Sequence, residues 1–241
     1  MNKVPVITID GPTASGKGTI AHCIATHLGF EVLDSGALYR ISALHALEQG
    51  ITADDVVGLV RIASTLQVRF VGDAILSQES DLRIGDLMIH APPSVTHQSE
   101  RDISGLIRQE AVGNFASQIA STPAVRAALI DMQRQFAVLP GLVADGRDMG
   151  TTIFPDAPIK FFLTASAEAR AQRRYEQLMN QGIAVKIEDL VADLQARDAR
   201  DTQRSISPLK PAPDAILIDS TAMTVSQVVS EMMQSIQFVI V

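Results

Sequence analysis

Apolar residues along the chain gather into short runs separated by longer stretches with helical spacing. Five runs read as buried strands: Val4-Pro5-Val6-Ile7-Thr8-Ile9, Phe30-Glu31-Val32-Leu33-Asp34, Leu142-Val143-Ala144-Asp145, Ile159-Lys160-Phe161-Phe162-Leu163 and Ala215-Ile216-Leu217-Ile218-Asp219. A helix follows the first run through Ile20-Ala21-His22-Cys23-Ile24-Ala25, with Gly29 suited to its C-cap. Ser35 can cap a second helix running to about 49, and a third covers about 53–66 with Asp54 and Asp55 in its first turn. Further helices are predicted near 104–120, 123–137, 165–181, 187–204 and 225–237. Short apolar strands alternating with helices predict an α/β fold: a five-stranded parallel sheet wrapped by helices.

The rhythm breaks over about 66–103. Gln67-Val68-Arg69-Phe70-Val71 alternates like a strand, and Ala74-Ile75-Leu76 and Leu87-Met88-Ile89 can pair with it across turns such as Gly72-Asp73. A polar connection starts at Pro92-Pro93-Ser94. A structureless loop of that length is improbable in a compact domain, so a small α+β insert is expected there.

Behind the first strand stands Gly11-Pro12-Thr13-Ala14-Ser15-Gly16-Lys17-Gly18-Thr19. The spacing is G-x-x-x-x-G-K, the loop that cradles phosphate. Its glycines let successive N–H groups converge on phosphate oxygens, and the following helix points its positive end at the same place. Lys17 adds a point charge for the β- and γ-phosphates. The usual pattern has Ser or Thr directly after the lysine; here Gly18 fills that slot and the hydroxyl comes at Thr19. A helix that merely begins with glycines would give similar letters. The strand before and the helix after favour a site for a nucleoside triphosphate or something close to it.

Net charge is −7, which argues against a nonspecific binder of nucleic-acid polymer. The single cysteine, Cys23, excludes an internal disulfide and reads as a small buried residue. His22, His27, His45, His90 and His97 share no metal-ligand spacing. No apolar stretch approaches the ~18–20 residues of a membrane span, and the expectation is a soluble cytoplasmic protein.

Basic residues recur where strand ends or one helix face can aim them into a cleft. Arg40 follows the second strand, and Arg147 sits in the turn Asp145-Gly146-Arg147-Asp148 at a strand's carboxyl end, where such sheets bind ligands. Arg197, Asp201 and Arg204 share one helical stripe. Arg170, Arg173 and Arg174 lie on the preceding helix, and the two helices over about 165–204 can form a lid. For Arg170 the reading is a surface charge or helix salt bridge. Asp148 is either a salt-bridging turn residue or a reader of a base.

These segments together resemble the bacterial cytidylate kinases, nucleoside monophosphate kinases of the P-loop class. The phosphate loop alone fits many families; Ser35-Gly36-Ala37-Leu38-Tyr39-Arg40 with Asp145-Gly146-Arg147-Asp148-Met149-Gly150-Thr151 is specific. Gly18-Thr19 after the loop lysine is itself a family feature. The match extends through Asp102-Ile103-Ser104, Ile107-Arg108, Ala116-Ser117-Gln118, Pro123 with Val125-Arg126, Phe154-Pro155-Asp156-Ala157, Arg197-Asp198 with Arg200-Asp201, and Pro208-Leu209. The resemblance implies a single P-loop kinase domain over 1–241, an acceptor-binding region near 35–137 that carries the insert, and the lid near 165–204. It implies ATP and CMP or dCMP giving ADP and CDP or dCDP, with Mg2+, in a monomer.

By the same resemblance, Gly11 to Thr19 bind ATP, and Ser35, Arg40, Ser117, Arg126, Asp148, Arg197, Asp201 and Arg204 bind the acceptor. Ser117, Arg126 and Asp148 meet the cytosine, while Arg197 and Asp201 hold the ribose. Lys17 serves the β- and γ-phosphates, Arg40, Arg147 and Arg204 clamp phosphates, Arg173 or Arg174 closes over the transferring group, and Asp145 holds the metal ion through water. The chemistry agrees: a carboxylate can accept from the cytosine N4 amino group. A kinase for another small acceptor, such as shikimate or a different nucleotide, and a nucleotide-dependent switch are the competing readings. The acceptor-side residues have no purpose in a switch.

Overall fold

All five residues of β1 (Val6–Asp10) are buried, as a strand covered on both faces requires. The structure, a computed structural model, describes residues 4–71, 74–78, 100–180 and 182–240; the strand expected over Leu87-Met88-Ile89, the Gly72-Asp73 turn and the connection from Pro92 lie outside them. From β1 the chain passes through α1 (Lys17–Leu28) to β2 (Glu31–Asp34) at the sheet edge. β6 (Leu142–Gly146) later inserts between β1 and β2, and β7 (Ile159–Thr164) and β8 (Ile216–Asp219) extend the other side, giving the order β2-β6-β1-β7-β8. All four pairings are parallel. The register sets Asp10 against Gly146, Ile9 against Asp145, and Asp34 against Asp145, so three acids share one carboxyl edge. That edge, where the strand order reverses, is where this architecture binds ligands.

Strand alternation divides the core in two. Ile7, Ile9, Val143 and Phe161 pack with Ile20 and Ile24 of α1 and with Met232 of α8 (Val225–Ile240). Leu142, Ala144 and Leu33 face the other layer, built from α2 (Ser35–Glu48), α3 (Val56–Ser64), α4 (Glu110–Ile119) and α5 (Pro123–Gln135). Beyond β7, α6 (Ala167–Asn180) and α7 (Ile187–Gln203) pack on each other through Ala171, Leu178, Leu190 and Leu194, a small core of their own.

Several local expectations change. The cap of α2 is Asp34, whose carboxylate accepts from the Ala37 N–H at 3.0 Å; Ser35 is already helical and donates to Gln133 Oε1 at 2.7 Å. Asp34 leaves β2 still extended, which is the geometry a cap needs. Asp55 likewise caps α3, accepting from the Gly58 N–H at 2.9 Å. The helix expected near 104–120 is broken: a 3-10 turn (Leu106–Arg108) precedes α4 because Gln109 between them is extended. In the insert, β3 (Val68–Val71) and β4 (Ala74–Gln78) pair antiparallel, and β4 pairs with β5 (Glu100–Asp102), a strand absent from the sequence prediction. Cys23 is exposed, because α1 buries the stripe Ile20, Ala21, Ile24 and Ala25 and leaves position 23 to solvent. Among the described residues no helix is long and apolar enough to cross a membrane.

Two features at the ends of β1 and β6 position the site. Gly11 turns the chain out of β1 with φ 152°, and a Cβ there would lie 2.0 Å from the Leu163 carbonyl oxygen. After β6 the backbone winds into one π-helical turn (Met149–Ile153) instead of a plain loop. The buried Asp10 carboxylate holds it, accepting from the N–H groups of Met149 and Gly150 at 2.8 Å each. Burial pushes the Asp10 carboxyl up to about 6, against the pull of those two bonds. Because no side chain fits against Leu163, Gly11→Ala is expected to lower the unfolding free energy by about 3 kcal/mol, measured by urea denaturation.

Candidate active site

The phosphate loop is shaped from behind. Ala14 and Gly16 adopt positive φ, 60° and 93°, so the loop curls before α1 begins. Arg170 Nη1 donates to the Thr13 carbonyl at 3.1 Å and Arg173 Nη1 to the Ser15 carbonyl at 3.3 Å, both from α6. In a trans peptide the N–H points opposite its carbonyl, so these bonds turn the N–H groups of Ala14 and Gly16 away from α6. Ala14 and Gly16 line the central cavity, about 310 Å3.

Lys17 is buried and donates to the Pro12 carbonyl at 2.7 Å, with Asp145 Oδ1 3.9 Å away. Burial and the nearby Arg147 push its ammonium down to about 8, and burial pushes Asp145 up to about 7. Thr13, Gly18 and Thr19 also line the cavity, whereas Gly11, Pro12 and Ser15 stand behind it.

Opposite the loop, guanidinium groups converge. Arg147 bridges the two sides, donating to Thr13 Oγ1 at 2.7 Å and to Asp201 Oδ2 at 2.9 Å on α7. Arg40 reaches the cavity while donating to the Ile107 carbonyl at 2.7 Å. Arg197 and Arg204 are buried there too, and among the described residues Arg197 Nε and Arg204 Nη2 have no hydrogen-bond partner. Burial, then the charges of Arg40 and Arg147, push Arg197 down to about 10. Unpaired buried donors amid like charges are costly. This wall is built for an anion.

A deeper recess lies between α4, α5 and the turn after β6. Arg126 donates to Asp148 Oδ2, and both side chains are almost wholly buried. The Arg126 guanidinium also lies 5.7 Å from the centre of the Tyr39 ring. Ser117 lines the same recess and accepts from Arg200 Nε at 3.4 Å. Ser35 lines the cavity with its hydroxyl committed to Gln133. The recess thus offers a carboxylate beside a guanidinium, a planar pattern of acceptor next to donor.

Two of the arginines named from sequence stand elsewhere. Arg173 donates to Ser220 Oγ at 3.2 Å and to the Ser220 carbonyl, and touches the loop only from behind. Arg174 pairs with Glu110 Oε2 at 3.1 Å and lines a separate cavity. Of the two readings of Arg170, the helix salt bridge holds and the exposed surface charge does not: it is buried, and besides Thr13 it binds the Ala165 carbonyl at 3.0 Å and Asp198 Oδ2 at 2.6 Å. Three elements meet on one side chain. Asp10, Asp34, Tyr39 and Gln133 were not singled out as site residues. Asp10 carried a signal, as the last residue before the loop on a strand's carboxyl end; Gln133, in mid-helix, carried none.

The family model described as "Cytidylate kinase" matches residues 7–238. A cytidylate kinase of Cupriavidus necator is 53% identical over 234 residues, 97% of this chain and 96% of that protein. One of Bordetella bronchiseptica is 52% identical over 225 residues, covering 93% and 92% respectively. One of Burkholderia ambifaria is 51% identical over 230 residues, covering 95% and 92%.

The depressed Lys17 has a measurable consequence. Its ammonium is charged below about pH 8 and neutral above it, so triphosphate affinity is expected to fall as pH rises through about 8 instead of persisting to the ordinary lysine range. The loss of one charge-assisted bond amounts to about tenfold in Kd, measured by ATP titration between neutral and alkaline pH.

Proposed function

The chain belongs to the cytidylate kinase family, and we infer from the cavity how its residues carry out that family's reaction. It transfers the γ-phosphoryl group of ATP to CMP or dCMP, giving ADP and CDP or dCDP. The phosphate loop from Gly11 to Thr19 takes the triphosphate, with Lys17 supplying charge at the β- and γ-phosphates. Arg40, Arg147 and Arg204 clamp the acceptor phosphate and the moving group, and Arg197 with Asp201 holds the ribose. The unpartnered atoms Arg197 Nε and Arg204 Nη2 are the donors such a ligand would satisfy.

An oxygen of the acceptor phosphate attacks the γ-phosphorus, the bond to the β-phosphate oxygen breaks, and ADP leaves with the electron pair. The attacking oxygen is already anionic, so no general base is needed. What the protein contributes is alignment and neutralisation of charge. We assign Arg173 to holding the loop, and Arg174 to the ion pair with Glu110 and not to the transfer.

Asp145 fits a magnesium ion held through water. Its carboxylate lies at the mouth of the loop beside Lys17, and among the described residues no cluster of three or more His, Cys, Asp or Glu offers a protein-built cage. Mg2+ characteristically keeps its waters and binds through one or two carboxylates plus substrate phosphates. Bound there, it would neutralise charge on the β- and γ-phosphates. One copy of the chain supplies every residue named, so the reading needs no second protomer.

The observation that carries the reading of the base is the buried Arg126–Asp148 pair beside Ser117. Cytosine presents N4 amino hydrogens to Asp148 and acceptors at N3 and O2 to Arg126 and Ser117. Uracil would set its O4 against the carboxylate and its N3 hydrogen against the guanidinium. Sites built this way reject the mismatched analogue by roughly 10⁴-fold or more.

The test is ADP release with ATP and Mg2+ across CMP, dCMP, UMP, AMP, GMP and no acceptor. Stimulation by the cytidine pair alone is expected; equal stimulation by UMP would refute the base reading while leaving the kinase. Asp148→Ala is expected to relax the preference for CMP over UMP more than it weakens ATP binding. Lys17→Ala should lower kcat by about 10²–10³-fold or more, and retained turnover would mean the phosphate loop plays no part.

A further inference from the structure

We propose that Asp10 is a positioning residue for base selection: by capping the turn that Asp148 begins, it leaves the Asp148 carboxylate free to face the acceptor base. The proposal rests on the reading of Asp148 given above and deepens it.

Asp148 occupies the cap position of the π-helical turn (Met149–Ile153). An aspartate at a cap ordinarily folds its carboxylate back onto the first free N–H groups of its own helix, and few residues do so more readily. Asp148 makes no such bond and engages Arg126 instead. Of the N–H groups nearest it, those of Met149 and Gly150, the second a usual target of a capping side chain, are taken by the two carboxylate oxygens of Asp10, one each, at 2.8 Å. Further along the turn, the N–H groups of Thr152 and Ile153 return to the Asp148 main-chain carbonyl at 2.9 and 3.2 Å. Each of these four donors is satisfied without the Asp148 side chain.

Asp10 can do this because the β1–β6 register sets it against Gly146, two residues before Asp148. Gly11 follows directly, so one residue fixes both the start of the phosphate loop and the entry to the base-reading turn. If its carboxylate is weakened as an acceptor, a buried N–H loses its partner, a penalty that favours any nearby group able to supply one. The Asp148 carboxylate is the acceptor one and two residues away in the chain. Turning it inward removes it from the base. Two tasks that one aspartate cannot perform together are thereby divided between two.

The experiment is Asp10→Asn, with kcat/KM measured for CMP and UMP, KM measured for ATP, and thermal unfolding followed in parallel. The CMP:UMP ratio of kcat/KM is expected to fall about tenfold or more, within the range over which contacting polar groups couple. Combined with Asp148→Ala, Asp10→Asn should lower the ratio no further than Asp148→Ala alone, since both changes disable the same group. A proportional loss toward both acceptors with the ratio intact, or additive losses in the double variant, would leave Asp10 a role in stability alone and overturn the proposal. Asp10→Ser, which keeps one acceptor, is the second variant should Asp10→Asn fail to fold. Failure of both to fold would also assign Asp10 to stability. Undiminished discrimination in Asp148→Ala would instead overturn the base reading beneath it.

Discussion

Like charges gathered in a buried space set the terms for this structure. Lys17, Arg40, Arg147, Arg197 and Arg204 all line one cavity, and burial above all, with nearby like charges adding to it, lowers the tendency of Lys17, Arg40, Arg197 and Arg204 to hold their protons. Such a cluster survives folding only if acids stand close by and the backbone is rigid. Asp201 pairs with Arg147, Asp145 lies near Lys17, and Asp148 pairs with Arg126. Arg197 lies 3.8 Å from Glu110 and Arg204 donates to the Asp201 carbonyl, yet Arg197 Nε and Arg204 Nη2 have no hydrogen-bond partner among the described residues. Those two donor atoms are the ones the proposed phosphate-bearing ligand would satisfy.

The acids are available because of the sheet. Parallel register brings the ends of β1, β2 and β6 level, so Asp10, Asp34 and Asp145 arrive together at one edge although more than a hundred residues of chain separate the first from the last. Each is then used differently. Asp34 caps a helix, Asp10 caps a turn on a neighbouring strand, and Asp145 stays beside the lysine. Arg170 plays a similar framework part from the other side, tying the phosphate loop to α7 through Thr13 and Asp198. Framework contacts of this kind hold the transferring groups still, which is most of what phosphoryl transfer asks of a protein.

Much of the site was legible from local pattern, because its parts are local. The loop from Gly11 to Thr19 needs its glycines wherever it occurs, and the turn from Asp145 to Asp148 follows an apolar run that could only be a buried strand. Other placements became visible only in the folded chain. Arg170 had the composition of a surface helix residue, yet it is enclosed by the phosphate loop and α7. Arg174 shares that helix and turns instead to Glu110. Ser35 has the residue type of a cap, but Asp34 lies one place earlier with the extended backbone a cap requires. The strand Glu100–Asp102 carries three charged residues and no apolar alternation, so only pairing with β4 reveals it.

The sequence by itself determined the sheet, the phosphate loop and the residue types at each strand end, since apolar period and glycine placement are properties of neighbours along the chain. Only the tertiary structure decided which arginines face the cavity and which brace it, and which aspartate pairs with Arg126 and which holds the turn after β6. Those choices are made by hydrogen-bond partners from other elements of the chain, from 22 residues away for Asp148 and Arg126 to 139 for Asp10 and Met149, and a carboxylate's task is set by the donors that reach it first.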